Sequence, residues 1–137
     1  MTRKIGIVVA VFTAMALTIS IVAAGNAHFV GTPSVTISGN TLIASGKVAG
    51  LGNIAQITTT VSGEAACVNP GSNKPKAANK QTVSASGNFP VQNGKANFSV
   101  SATAAFQPDC TPPMTVEWSN VTITVTAADG TFLQFRL

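Results

Sequence analysis

The feature that most constrains this chain is a run of strict two-residue alternation between Ala55 and Cys67. Its odd positions, Ile57, Thr59, Val61, Gly63, Ala65 and Cys67, form one series; its even positions, Gln56, Thr58, Thr60, Ser62 and Glu64, form the other. A strand turns successive side chains to opposite faces, so the first series faces a core and the second faces water. A helix would scatter both series around its surface. The run therefore predicts one long strand that delivers Cys67 facing inward, with Gly63 as the point where it bends.

The rest of the chain keeps the same period. Val35 and Ile37 precede Gly39-Asn40, and Leu42, Ala44 and Val48 follow it. A two-residue loop there sets Ile37 opposite Leu42 and Val35 opposite Ala44, with Gly39 suited to the first position of a type II′ turn. Gly50-Leu51-Gly52-Asn53 turns the chain again. The stretch from Asn69 to Lys80 has neither helical nor strand period and reads as a surface loop. A turn centred on Asn93-Gly94 then predicts a second hairpin, in which Val91 faces Ala96, Phe89 faces Phe98, Gly87 faces Val100, Ala85 faces Ala102 and Val83 faces Ala104. Pro90 has no N–H to offer Asn97 across a tight turn, so a four-residue loop from Gln92 to Lys95 is expected.

Pro108, Pro112 and Pro113 break the pattern around Cys110. Val116 and Trp118 then alternate in even phase and Val121, Ile123 and Val125 in odd phase, which predicts a bulge near Ser119-Asn120. At the last hairpin, a three-residue loop of Ala128-Asp129-Gly130 pairs Val125 with Leu133, Ile123 with Phe135 and Val121 with Leu137; a two-residue loop would set Val125 against Gln134. The register selects three residues, with Gly130 in the left-handed position of a G1 bulge. Seven strands without a helix predict an all-β, antiparallel Greek-key sandwich of the immunoglobulin-like class, held by one disulfide. Trp118 follows both cysteines, whereas antibody domains carry tryptophan between theirs.

Arg3 and Lys4 open the chain, residues 5–24 carry no charge, and Ala23, Ala24, Gly25 and Ala27 are small. This is the three-part plan of a secretory signal. Cleavage after Ala27 or after Ala24 leaves small or tolerated residues at the two positions a signal peptidase reads, with a cut after Gly25 as a further alternative, and Ala27 is the favoured position. The expected organisation is a signal peptide over residues 1–27 and a single sandwich domain over residues 28–137, with no membrane segment once the leader is gone.

The two cysteines of an exported chain are expected to bridge, Cys67 to Cys110, closing some forty residues. A redox or metal pair would need a C-x-x-C spacing or nearby histidines, and the one histidine, His28, is remote in sequence. Composition narrows function further. Only 9% of the residues are charged against 45% hydrophobic, so the surface is polar without being charged. From His28 onward six basic residues (Lys47, Lys74, Lys76, Lys80, Lys95, Arg136) face four acidic ones (Glu64, Asp109, Glu117, Asp129), a net +2. That is too little for nucleic-acid binding. With one histidine and no tyrosine there is no Ser-His-Asp set, so the chain is not expected to be an enzyme and no cofactor is implied. Glu64 and Glu117 would form a glycosidase pair only on neighbouring strands facing a cleft, and alternation points Glu64 to solvent.

The candidate binding residues cluster beside the cysteines: Asn69, Lys74, Lys76, Lys80, Asp109 and Pro112. They would sit on loops at one end of the sandwich, where the lysines offer charge to an anionic wall polymer or glycan. His28 carries the alternative. As a new N-terminus it would place an amine and an imidazole together for copper, and a cut after Gly25 would give Asn26-Ala27-His28 the spacing of a square-planar copper or nickel site.

Four pieces also match as a set: Ala27-His28-Phe29-Val30, Ser45-Gly46-Lys47-Val48-Ala49-Gly50-Leu51-Gly52-Asn53, Cys67-Val68-Asn69-Pro70-Gly71 and Pro108-Asp109-Cys110-Thr111-Pro112-Pro113. On them the chain resembles a group of small exported bacterial proteins with a Cys-x-Asn-Pro-Gly motif. Many of these carry a second glycine where Ser72 stands here. The resemblance implies export, one disulfide and an all-β fold, and it implies no activity. The expectation is a secreted, non-catalytic extracellular or cell-surface protein that binds an unidentified ligand or self-associates.

Overall fold

The computed structural model describes residues 18–21, 26–69 and 80–137. Within them the chain is all β, with no helix, and forms two antiparallel sheets. The strands are β1 (Thr18–Ile21), β2 (His28–Phe29), β3 (Ser34–Ser38), β4 (Thr41–Ala49), β5 (Gln56–Val68), β6 (Lys80–Pro90), β7 (Ala96–Thr103), β8 (Thr115–Thr126) and β9 (Phe132–Arg136). The last seven are those the alternation predicts. The two short N-terminal strands are additional, and β1 lies inside the stretch read as leader, most of which falls outside the described residues.

The larger sheet runs β1-β9-β8-β5-β6. The smaller is built on β4, whose Val48 has Phe29 of β2 on one side and Ala96 of β7 on the other, as Leu42 has Ile37 of β3 and Ala102 of β7. Hence β2 and β3 follow one another along the same edge of β4, and β7 takes the opposite edge. The inward series of both sheets meet in one core, with Leu42, Ala44 and Val48 from β4, Ile57 and Val61 from β5, Phe98 and Val100 from β7, and Ile123, Val125, Leu133 and Phe135 from the β8–β9 hairpin. Thr59 is the one member of the β5 series that brings a hydroxyl inside, and its Oγ1 has no hydrogen-bond partner among the described residues.

Three predicted registers are observed. The first hairpin pairs Ile37 with Leu42 and Val35 with Ala44, with Gly39 at φ 58°. The last pairs Val125 with Leu133 and Ile123 with Phe135, and the Leu137 N–H donates to the Val121 carbonyl at 3.0 Å. On β8 the register against β5 slips between Ser62–Thr122 and Glu64–Ser119, so β8 carries one extra residue there, and Asn120 has φ 54°. The bulge puts both Trp118 and Val121 beside Gly63, where a Cβ would lie 3.2 Å from the indole and 3.4 Å from Val121.

The predicted pairing of the second hairpin is not observed. β6 pairs with β5, Phe89 facing Ile57 and Gly87 facing Thr59, while β7 pairs with β4 in the other sheet. Between them one rung forms, Gln92 with Lys95, exchanging hydrogen bonds of 2.8 and 3.0 Å. The loop is also the tight form and not the expected four-residue one: Asn93 and Gly94 have φ 55° and 76°, the pattern of a type I′ turn. Pro90 supplies the physical reason. The next hydrogen-bonded rung would need its missing N–H, so the ladder stops and the strands part to opposite sheets. Val91 instead donates to the Ala55 carbonyl of the β5 approach at 2.9 Å, which turns the Pro90 nitrogen toward the open edge of β6, where no donor is required.

Candidate functional site

The strands leave loops at two ends, and the sequence candidates divide between them. At one end Cys67, near the close of β5, is bonded to Cys110 in the connection from β7 to β8, with an S–S distance of 2.05 Å and Cα atoms 5.8 Å apart. Beneath the bridge lies a small second core of Ala65, Cys67, Ala104 and Phe106, flanked by Met114, Val116 and Trp118. The Met114 sulfur stands 3.7 Å from Cys67 Sγ. Trp118 also packs against the main core and donates its indole N–H to the Gly39 carbonyl at 3.3 Å. Asn40 bonds Ala104 twice, accepting from its N–H at 2.8 Å and donating to its carbonyl at 2.9 Å, while the Gln81 amide donates to the Ala105 carbonyl at 2.8 Å.

This frame places Asn69 just beyond β5, Lys80 at the first position of β6, opposite Ala66, and Asp109 and Pro112 in the bridged connection, all four exposed. Lys74 and Lys76 lie outside the described residues. Glu64 and Glu117 do fall on neighbouring strands, since Glu64 opposes Ser119 and Glu117 opposes Ala66. Both belong to the outward series of the larger sheet, Glu64 half-buried and Glu117 exposed.

The outer face around them is an ordered hydroxyl surface. Thr58 and Thr60 of β5 stand in register with Thr126 and Thr124 of β8 and with Asn88 and Ser86 of β6. Thr58 donates to Asn88 at 2.7 Å, Thr60 and Ser86 share a bond of 2.7 Å, and Gln134 donates to Thr124 at 3.3 Å. Arg136 closes the row with two bonds to Gln134, at 3.0 and 3.2 Å. Low charge in the sequence thus becomes a sparsely charged, mutually bonded face.

The opposite end is built from tight turns. Leu51, 2% exposed, donates its N–H to the Gly94 carbonyl at 3.0 Å, joining the β4–β5 turn to the β6–β7 turn. An open groove of about 590 Å³ runs between residues 50–56 and the β8–β9 turn, with Leu51, Ile54, Ala128 and Asp129 along it. A polar groove beside it is lined by Lys47, Lys95, Gln92, Asn93 and Asn97. That grouping is not legible in the sequence, where Lys47 and Lys95 are far apart. In the β8–β9 turn the Asp129 carboxylate accepts the Thr131 hydroxyl at 2.6 Å and the Thr131 N–H at 2.9 Å, and these bonds, the hydroxyl first, hold its pKa below the ordinary carboxylate value.

His28 belongs to this second end. It is exposed, pairs with Ala49, and its Nδ1 lies 2.5 Å from the Asn26 carbonyl oxygen. Among the described residues no three His, Cys, Asp or Glu side chains come together as a metal site. No family model, no curated protein and no solved structure matches the chain.

Proposed function

We propose that the chain is an exported, non-catalytic protein of the immunoglobulin-like Greek-key class, secreted or held at the cell surface, which acts by binding through the loops at its bridged end. The strand order supports the class: the chain changes sheets between β4 and β5, β6 and β7, and β7 and β8, and the β5–β8 pair sits at the centre of the larger sheet. The disulfide suits an oxidising compartment. The observation that carries the binding reading is the bridge itself, which fastens Asp109 and Pro112 beside Asn69 and Lys80 on a second core. A ligand then meets a surface whose ordering cost is already met in the fold.

The test is retention of the purified exported protein on isolated cell walls and on an array of anionic and neutral glycans, beside a K74S/K76S/K80S variant. Saturable retention by the parent, weakened at least tenfold in the variant, is expected. Absence of retention on every polymer would sink the reading.

Assembly through a strand edge is the second reading, favoured by a separate observation. β1 lies antiparallel on β9, Ile19 against Phe135 and Ser20 against Gln134. Since Leu137 bonds inward to Val121, alternation leaves Phe132, Gln134 and Arg136 to present backbone groups on the side that β1 occupies. A chain without its leader would carry that edge uncovered, a known route to association. Light scattering at rising concentration tests it: a dimer abolished by Gln134→Pro supports assembly, and a monomer throughout excludes it.

A further inference from the structure

The sequence offers three bonds for leader removal, after Ala24, Gly25 or Ala27, and the fold discriminates between them. Ala27 is 3% exposed and belongs to the main core, and Phe29 follows it at 8%. Phe29 meets Phe98 of the smaller sheet and Phe135 of the larger edge-on, with ring centroids 6.4 and 6.3 Å away, so β2 closes the flank between the sheets. Asn26 is part of the same closure. Gly50 has φ 76°, and a Cβ built on it would collide with the Asn26 carbonyl, so the β4–β5 turn is shaped to the backbone of Asn26.

From this we propose that the exported chain retains Asn26 and Ala27 and that the signal peptidase cuts after Ala24 or Gly25, not after Ala27. The proposal rests on the export reading above. The step is hydrolysis of one peptide bond by water, leaving a carboxylate on the leader and a free amine on the mature chain. A cut after Ala27 would delete a core residue, vacate the space that Gly50 leaves for Asn26, and make Phe29 the second residue of a fraying terminus. The retained terminus also redirects the copper alternative: the new amine would lie two or three residues before His28, on the side where its Nδ1 already faces Asn26.

The experiment uses the complete gene in a secreting host, as parent and as Ala27→Leu, with intact mass measured on the medium and on the membrane fraction. A signal peptidase requires a small residue immediately before the cut. If the cut precedes Asn26, the introduced leucine lies beyond that position: the variant is processed at the parental bond, its product carries the added mass of the leucine, and crowding in the core lowers its Tm by about 5 °C. If the cut follows Ala27, the parent begins at His28 and the variant accumulates as uncut precursor; either result overturns the proposal. Ala27→Ser, small enough for both sites, guards against a leucine variant that fails to fold, because its secreted product either contains the introduced serine or begins at His28. Recovery of the parent uncut in the membrane fraction would refute leader removal itself, on which the proposal rests, an outcome distinct from a start at His28.

Discussion

The two ends of the sandwich solve the same problem by different means. At the bridged end the tight Gly39-Asn40 turn sits beside the long β7–β8 connection, and closure is covalent, with Cys67–Cys110 seated on a satellite core that, among the described residues, shares Trp118 and Val83 with the main one. At the other end the connections are short, and closure comes from backbone geometry, with Gly50, Gly52, Asn93, Gly94 and Gly130 all at positive φ and Asn26 and Leu51 packed into the turns. The contrast shows where each end can vary. A covalent tie tolerates changes in the loop it holds, whereas a turn that works by left-handed backbone fails when its residue changes.

Removing the tie should produce the largest effect. Cys67→Ala with Cys110→Ala is expected to cost about 4 kcal/mol, from the entropy of closing a 43-residue separation, measured by denaturant unfolding against the oxidised parent. A loss under about 1 kcal/mol would mean that the satellite core alone holds that end. Next comes Gly50→Ala, which combines a left-handed backbone with the collision at Asn26 and should cost about 1–3 kcal/mol. Strand β5 separates the two sites by thirteen residues, about 40 Å, so the two losses should add to within about 0.5 kcal/mol. A clear departure from additivity would show that the ends are coupled and would break the comparison.

Thr59→Val probes the core between them. The hydroxyl is buried without a partner among the described residues, so its removal should raise stability by about 1 kcal/mol, read as a shift in the urea midpoint. An unchanged or lower midpoint would show that the oxygen has a partner in solution. The smallest effect is expected at Asp129. Its pKa is depressed in the folded chain, so the stability it contributes is present above the ordinary value of 3.8 and is lost as pH falls through the lower folded value. Thermal melts from about pH 5 to pH 2 should fall more steeply in the parent than in Asp129→Asn, and parallel curves would remove the carboxylate's role in the β8–β9 turn.

What the sequence determined by itself was local. Alternation and turn residues specify seven strands, the registers of the first and last hairpins and the β8 bulge, because a one-residue slip would expose every core side chain in a strand. Cysteine content in a chain with a leader pattern specifies the bridge. Tertiary structure decided which strands share a sheet. The apolar series of β6 and β7 match each other well, as in Phe89 with Phe98, and that match holds equally for two strands paired in one sheet and for two strands facing each other across a core. Only the missing N–H of Pro90 and the better ladders offered by β5 and β4 choose between them. The groove at Lys47 and Lys95 and the anchoring of Asn26 and Ala27 under Gly50 share this origin. Each joins residues far apart in sequence whose individual patterns carry no sign of the partner, since proximity of that kind exists only once the sheets have closed.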